Sequence, residues 1–538
     1  MTSVPRRPPD VLIVGAGPVG LVLGCELVAA GVDVRVVERS TTVRHEDAHS
    51  RAILLVPRAL ELLDRIGVGD RLVARGRPVG TIGYYSEGRL LGRARFADLP
   101  DTPYPFLLAL PQRDTEDVLR RRFAELGGTV ERGVTVEELT DPAHPRVLLR
   151  HADGTPEVVR PRWLVGADGA GSTTRGLLGL RLGGDPTDVS YVIADAPLSG
   201  AVPAHAQYYY SRNGLLAVIP MGDGLYRLAG NVPHDEQGGP DRWRAILQDA
   251  VDARAHAPLT VGEPTYARLV RPRCGQAGAM WSGRCFLVGD AAHVITPAGG
   301  QGMNLGIQDA VNLGWKLAGV ALGRLEEAAL DTYGPERAAA AARTSTMTAR
   351  IVGLAGRRSR AAVAARDAAF ALADRTGLVQ RVLTPLLGQL DVDYGGGRRV
   401  PRLPGRARAV PGLRVPLPAA GPADGGRHTV LLWPGHPVPV GWDVRAAALR
   451  RRLADRATVV DGDTLPPAAV AALRRALGRG PRMATVRPDG HLVGLAGTAD
   501  VDAVLRQLAA AGSRPDLPTA LPPRATRERA VPVDGRVS

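Results

Sequence analysis

The hydrophobic pattern changes period several times along the chain, and each change marks an element. Val11–Val14 is an unbroken apolar run, as a buried parallel strand requires. A glycine-rich turn and an apolar stretch to Ala30 follow, and Val34–Val37 form a second strand ending at Glu38. The segment reads strand, tight turn, helix, strand. Residues 115–126 predict a helix, and "WLVGADGAGSTTRGLLGL" (163–180) a buried strand, a turn and a short helix. The β-rich stretch across 205–231 predicts an antiparallel sheet inserted between segments of the first unit. Leu305, Ile307, Ala310, Val311, Leu313, Trp315, Leu317 and Ala318 crowd a helical spacing and predict a buried helix. Ala- and Arg-rich helices are expected from about 335 to 390, and a Gly/Pro/Arg-rich linker over 395–427. A further α/β pattern follows, with "HTVLLW", "ATVVDG", a helix near 467–477, "RMATVRPDGHLVGLAG" and "DVDAVLRQLAAAG".

Length allows several domains. The net charge of +14 first points to nucleic acid, but Lys316 is the only lysine among 538 residues. The arginines are scattered without an aromatic-interleaved stripe, which argues against a nucleic-acid surface. Three cysteines (Cys25, Cys274, Cys285) form no CxxC, so a reducing cytoplasm is expected rather than a disulfide framework. The first ten residues lack the apolar core of a signal peptide. Residues 11–30 resemble a membrane span, yet three glycines and a proline fit the strand–turn–helix better, so no membrane association is expected.

Two glycine-rich segments carry the chemistry. Gly15, Gly17 and Gly20 form GxGxxG between a strand and a helix, with Glu38 placed 23 positions after Gly15. That context is a dinucleotide fingerprint: backbone approaches a pyrophosphate and the acid binds a ribose diol. A second such fingerprint is absent, so one dinucleotide is held permanently. "GDAAHVITPAGGQGMN" (289–304) opens the buried helix, and such a loop presents unpaired N–H groups at the positive end of a macrodipole. It is an anion site.

With "GADGAGSTTR" at 166–175 between them, these motifs resemble the class A flavoprotein monooxygenases, the para-hydroxybenzoate hydroxylase-like group. They look most like the bacterial aromatic polyketide hydroxylases, which carry an extra thioredoxin-like domain. The resemblance covers the chain to about residue 512. It implies an α/β fold: a Rossmann-like FAD-binding domain (1–75, 109–180 and 278–394, the last with helices), an inserted, mainly antiparallel β-sheet substrate domain (76–108 and 181–277), the linker, and a thioredoxin-like domain over 428–511. Residues 512–538 read as a disordered tail. The implied cofactors are non-covalent FAD and a transient NADPH or NADH. The implied reaction inserts one atom of O2 into a phenolic, polycyclic polyketide substrate through a C4a-hydroperoxyflavin.

Carried over by residue, Gly15, Gly17, Val19 and Gly20 surround the pyrophosphate, and Glu38 with Arg39 lies at the adenosine ribose. Arg51 stands beside the flavin, Gln112 reaches the ribityl chain, and Asp168 is shared by FAD and the nicotinamide cofactor. Asp290 accepts from a ribityl hydroxyl. Pro297 lies in the loop over the reactive edge and is the one catalytic candidate, while Gly302, Met303 and Asn304 face the pyrimidine end. Tyr208, Tyr210, Met221 and Tyr226 are the substrate-pocket candidates, against ordinary sheet packing.

Other features invite different readings. "HEDAH" (45–49) matches the zinc-protease HExxH pattern but has no third ligand in view, so no metal is expected. His293 reads as structural rather than as a base, and Lys316 as facing solvent or an interface. The C-terminal unit has no cysteine, which leaves it packing or contact between subunits, and a homo-oligomer is allowed. The runner-up chemistry is Baeyer–Villiger insertion or epoxidation on a polyketide ketone or quinone, because the fold leaves chemistry to the pocket. A halogenase would show GWxWxIP, which is absent. A non-enzymatic carrier on the same fold is the remaining alternative.

Overall fold

The computed structural model describes residues 8–43, 52–184, 190–202, 204–212, 214–232, 236, 239, 242–271, 274–296, 299–357, 359–395, 409–416 and 422–514. Its first layer is a six-stranded sheet in the order Trp281–Ser282, Cys285–Leu287, Trp163–Gly166, Val11–Val14, Val34–Glu38, Val130–Arg132. All neighbours are parallel except the first pair. Val11–Val14 is buried on both faces, which explains its unbroken apolar run. The residues that resembled a membrane span are this strand and the helix Pro18–Ala30. Among the described residues no helix is long and apolar enough to cross a membrane.

The central helix, Gly302–Ala321, packs along Pro18–Ala30. Close packing needs glycine at the crossing: a Cβ at Gly306 would sit 2.7 Å from a Val19 methyl. Protein surrounds this helix: Asn304 to Val320 are all buried, the polar Asn304, Gln308, Asp309, Asn312 and Lys316 among them.

The second layer is an eight-stranded sheet built from two separate stretches of chain. Thr81–Ser86 and Arg89–Arg95 come from one; six strands between Ser190 and Val270 come from the other. The seam between them, Thr81–Ser86 against Ala206–Ser211, is the sheet's one parallel pairing in the described residues; the rest is antiparallel. One face of this sheet joins the main hydrophobic core, and the other closes a separate cluster with the helix Trp243–Asp252.

The C-terminal unit is a four-stranded sheet ordered Thr458–Asp461, Thr429–Trp433, Arg482–Val486, Leu492–Ala496. The first pair is parallel and the other two antiparallel. Helices Trp442–Leu453, Pro467–Leu477 and Val501–Ala510 pack on it. Within the expected linker, Leu413 and Arg414 bridge to Asp393 and His491, so this part is fastened across both units. The expected tail beyond Arg514 and the "HEDAH" segment lie outside the described residues.

Candidate functional site

The glycine-rich turn is shaped by what a side chain would strike. Gly15 has φ +105°, and a Cβ there would lie 2.5 Å from the Ala167 carbonyl oxygen. A Cβ at Gly20 would overlap the Gly15 carbonyl oxygen. Gly17 has nothing within 4 Å, because it faces an open cavity. The helix it caps has no side-chain cap bond and no acid in its first turn, so its N–H groups are presented to that cavity. Glu38 reaches back from the end of its strand and accepts from Ala16 N and Ser40 N, both at 3.0 Å.

The cavity has a volume of about 990 Å3, enough for a large ligand. It is lined by Gly15, Gly17, Val19, Glu38, Arg39, Gln112, Asp168, Asp290, Gly302 and Met303, so the structure gathers most of the expected cofactor residues at one surface. It continues to Ile193 and Arg268–Val270 of the eight-stranded sheet. A second helix N-terminus opens here: the central helix also lacks a side-chain cap and a first-turn acid. Two uncapped helix ends at one cavity suit a ligand carrying anionic charge in two places. This arrangement fits FAD, with its pyrophosphate at one end and its ring at the other.

Several side chains do something other than the motifs imply. Asp168 lines the cavity, yet its carboxylate accepts from Ser172 Oγ (2.5 Å), Thr174 N (2.9 Å) and Thr174 Oγ1 (3.1 Å). It builds the turn that starts the short helix. Arg175 then donates to Ala291 O (3.0 Å) and Ala170 O (2.8 Å), tying this turn to the one carrying Asp290. Asn304 is a clamp: it accepts from Val56 N (2.9 Å) and donates to Leu54 O and Gly300 O, both at 2.7 Å. Gln112 opens the helix Gln112–Glu125 and donates to Glu116 Oε1 at 2.8 Å. Arg51 and Pro297 lie outside the described residues.

Asp309 escaped the motif reading. It is fully buried in the central helix and accepts from Gly289 N (3.0 Å), His293 Nε2 (2.6 Å) and Arg337 Nε (2.6 Å). Burial works to raise its pKa, but His293 and Arg337 hold it below the ordinary value. The signal was an acid inside an apolar helix, which needs a partner. His293 is thereby occupied in shaping the loop.

The tyrosine run divides by strand alternation. Tyr208 and Tyr210 face a small apolar chamber of about 20 Å3 with Tyr84, Leu107, Gln301 and Leu387. Tyr84, missed from sequence, is the hub: its ring centroid is 5.9 Å from both. Burial pushes the Tyr208 phenol up to about 12, so it stays protonated. Tyr209 points the other way, to His256 at 2.9 Å. Tyr226 packs against the far-face cluster, because its strand register turns it from the chamber, and Met221 packs against the main core outside the chamber lining. Lys316 is not at the surface: it is fully buried and donates to Asn312 Oδ1 (2.8 Å) and Glu336 Oε2 (3.0 Å). An acid on the adjoining helix drew it inward.

A family described as an FAD binding domain matches residues 9–348, and the chain belongs to it. Its relatives include polyketide and aromatic-compound monooxygenases. The chain is 40% identical over 375 residues to 6-methylpretetramide 4-monooxygenase of Streptomyces rimosus, covering 69% of this chain and 65% of that relative. It is 35% identical over 342 residues to 12-dehydrotetracycline 5-monooxygenase/anhydrotetracycline 6-monooxygenase of Streptomyces rimosus subsp. rimosus, covering 61% and 66%. The matches thus span just under two thirds of these curated relatives. Among solved structures, OxyS anhydrotetracycline hydroxylase from Streptomyces rimosus superposes with TM-score 0.72 at 30% identity, covering 94% of this chain and 99% of that one. CabE, an aromatic hydroxylase from angucycline biosynthesis, gives TM-score 0.69 at 28% identity, covering 94% and 100%.

Proposed function

We propose that this protein is an FAD-dependent, NAD(P)H-using monooxygenase that hydroxylates a fused-ring phenolic or quinonoid polyketide. The observation that carries this reading is the single cavity running from the glycine-rich turn, past Asp290 and the Gly302–Met303 helix end, to Ile193 and Arg268 of the second sheet. When bound, FAD would pass electrons from NAD(P)H to O2 and activate the oxygen, the chemistry side chains lack. The protein's part is to bind, orient and exclude water. The Gly15–Gly20 turn accommodates the pyrophosphate, Glu38 the adenosine ribose and Asp290 a ribityl hydroxyl. The central helix's first amides stabilise negative charge at the pyrimidine end of the ring. Tyr84, Tyr208 and Tyr210 stay neutral, so they bound an apolar chamber rather than remove protons. The relatives named for tetracycline-type substrates support the substrate class. We read the C-terminal unit as thioredoxin-like in topology, without its cysteines.

The test is incubation of the FAD-loaded protein with NADPH, ¹⁸O2 and a panel of aromatic polyketide intermediates. One heavy atom on a ring carbon is the expected result. A label inside a lactone would replace hydroxylation with ring expansion, and stoichiometric peroxide with no labelled product would reject both.

A further inference from the structure

Outside the cavity, a group of buried charges lies between the central helix, the helix Tyr333–Ala355 and the turn after Val486 in the C-terminal unit. Arg487 donates to both oxygens of Glu336, at 2.6 and 2.9 Å, and to both oxygens of Asp489, at 3.1 and 2.7 Å. Asp489 accepts from Trp315 Nε1 (3.2 Å) and Asn312 Nδ2 (3.3 Å), both on the central helix. Glu336 and Asn312 together hold Lys316. The backbone of this turn is gripped as well: Asp489 O accepts from Arg58 (2.5 Å), and Pro488 O from Arg65.

The contacts do not stop at the interface. Beside Glu336, Arg337 donates to Asp309 Oδ1 (2.6 Å), Leu305 O (3.1 Å) and the Tyr394 hydroxyl (2.8 Å). Arg487 lies 4.8 Å over the Tyr394 ring. Asp309 in turn receives Gly289 N, immediately before Asp290. Hydrogen bonds and ion pairs, linked at one step by the Arg487–Tyr394 ring contact, therefore join the C-terminal turn to the loop that lines the cavity. Buried ion pairs are a weak source of net stability. Their directional, bidentate bonds fix geometry instead, here the placement of the central helix relative to its neighbours.

We propose that Arg487 and Asp489 are positioning residues for the cofactor loop: the C-terminal unit sets the central helix, and through Asp309 the helix sets Gly289–Asp290 and its own first amides. The unit therefore has a role in flavin binding without touching the flavin.

The test compares full-length wild type, Arg487→Gln and Arg487→Lys as apoproteins titrated with FAD. It reads dissociation constant, two-electron potential of the bound flavin, and Tm. Arg487→Gln should weaken FAD by about tenfold, as coupling through a shared network allows, and shift the potential. Arg487→Lys should recover part of both, since it restores charge but not the bidentate fork. An Arg487→Gln protein that folds, binds FAD within about twofold of wild type and keeps its potential would overturn the proposal. Should that variant fail to fold, Asn312→Leu is read by the same measures with the same two outcomes. Wild type that takes up no FAD would instead remove the cofactor on which the inference rests.

Discussion

At the scale of single residues, the cavity wall separates side chains that shape the protein from those that meet the ligand. Gly17 has ordinary extended backbone (φ −72°, ψ −178°) and empty space where a Cβ would go. Gly17→Ala should leave the apoprotein's Tm within a degree or so, since surface changes without strain cost little. It should nevertheless weaken FAD binding by roughly tenfold or more, because the methyl occupies the approach of the pyrophosphate. Gly20→Ala meets backbone instead and should lower both stability and flavin content. Titrating each apoprotein with FAD, alongside a melt, distinguishes them; equal losses of Tm would contradict the assignment. Asp290→Ala should cost roughly 1.5–3 kcal/mol of FAD binding, as for a hydrogen bond to a charged acceptor, seen as flavin lost during gel filtration.

At the scale of elements, the central helix opens on the cavity at its N-terminus and buries polar side chains within its body. Its buried Lys316 is the informative probe. Burial pushes the ammonium down to about 7, against the attraction of Glu336. Between that value and the ordinary lysine value of about 10.5, the unfolded chain holds more protons than the folded one. The group's contribution therefore rises with pH across this window, and its full penalty applies below it. Lys316→Met removes the penalty and keeps the volume, so its Tm gain over wild type should be larger at pH 6 than at pH 9. Thermal melts at the two pH values read this directly; a gain that grows toward pH 9 would mean the ion pair with Glu336 outweighs desolvation.

At the scale of the molecule, the C-terminal unit is attached by buried polar contacts as well as by its surface pairs. His428 lies fully buried at that junction, with its ring edge-on to Trp315 and its Nδ1 3.0 Å from Ser513 Oγ. Burial, with help from Arg487, lowers its pKa to about 4. Stability from keeping this ring neutral is present above its ordinary value near 6.5 and is lost as pH falls from there to about 4. Wild type should therefore lose Tm across that interval more steeply than His428→Phe. Parallel slopes for the two proteins would remove His428 from the acid limb.

The strand–turn–helix at the N-terminus, the glycine-rich loop opening the central helix and the short helix after Asp168 were legible because each depends on neighbours in sequence. Glycines at fixed offsets and an apolar run on either side are local properties. The tyrosine alternation was legible for the same reason, since a strand's period is set by its own backbone. What the tertiary structure decided are contacts between segments far apart in the chain. Asp309 meets Gly289 and His293 across a turn, and Tyr84 joins Tyr208 and Tyr210 only because two distant stretches share a parallel seam. Lys316 reads as facing solvent or an interface; Glu336 and the C-terminal turn enclose it, which removes solvent and leaves the contact between units. Local pattern fixes the backbone's shape and the faces it offers; which buried charge finds which partner depends on packing that no single segment encodes.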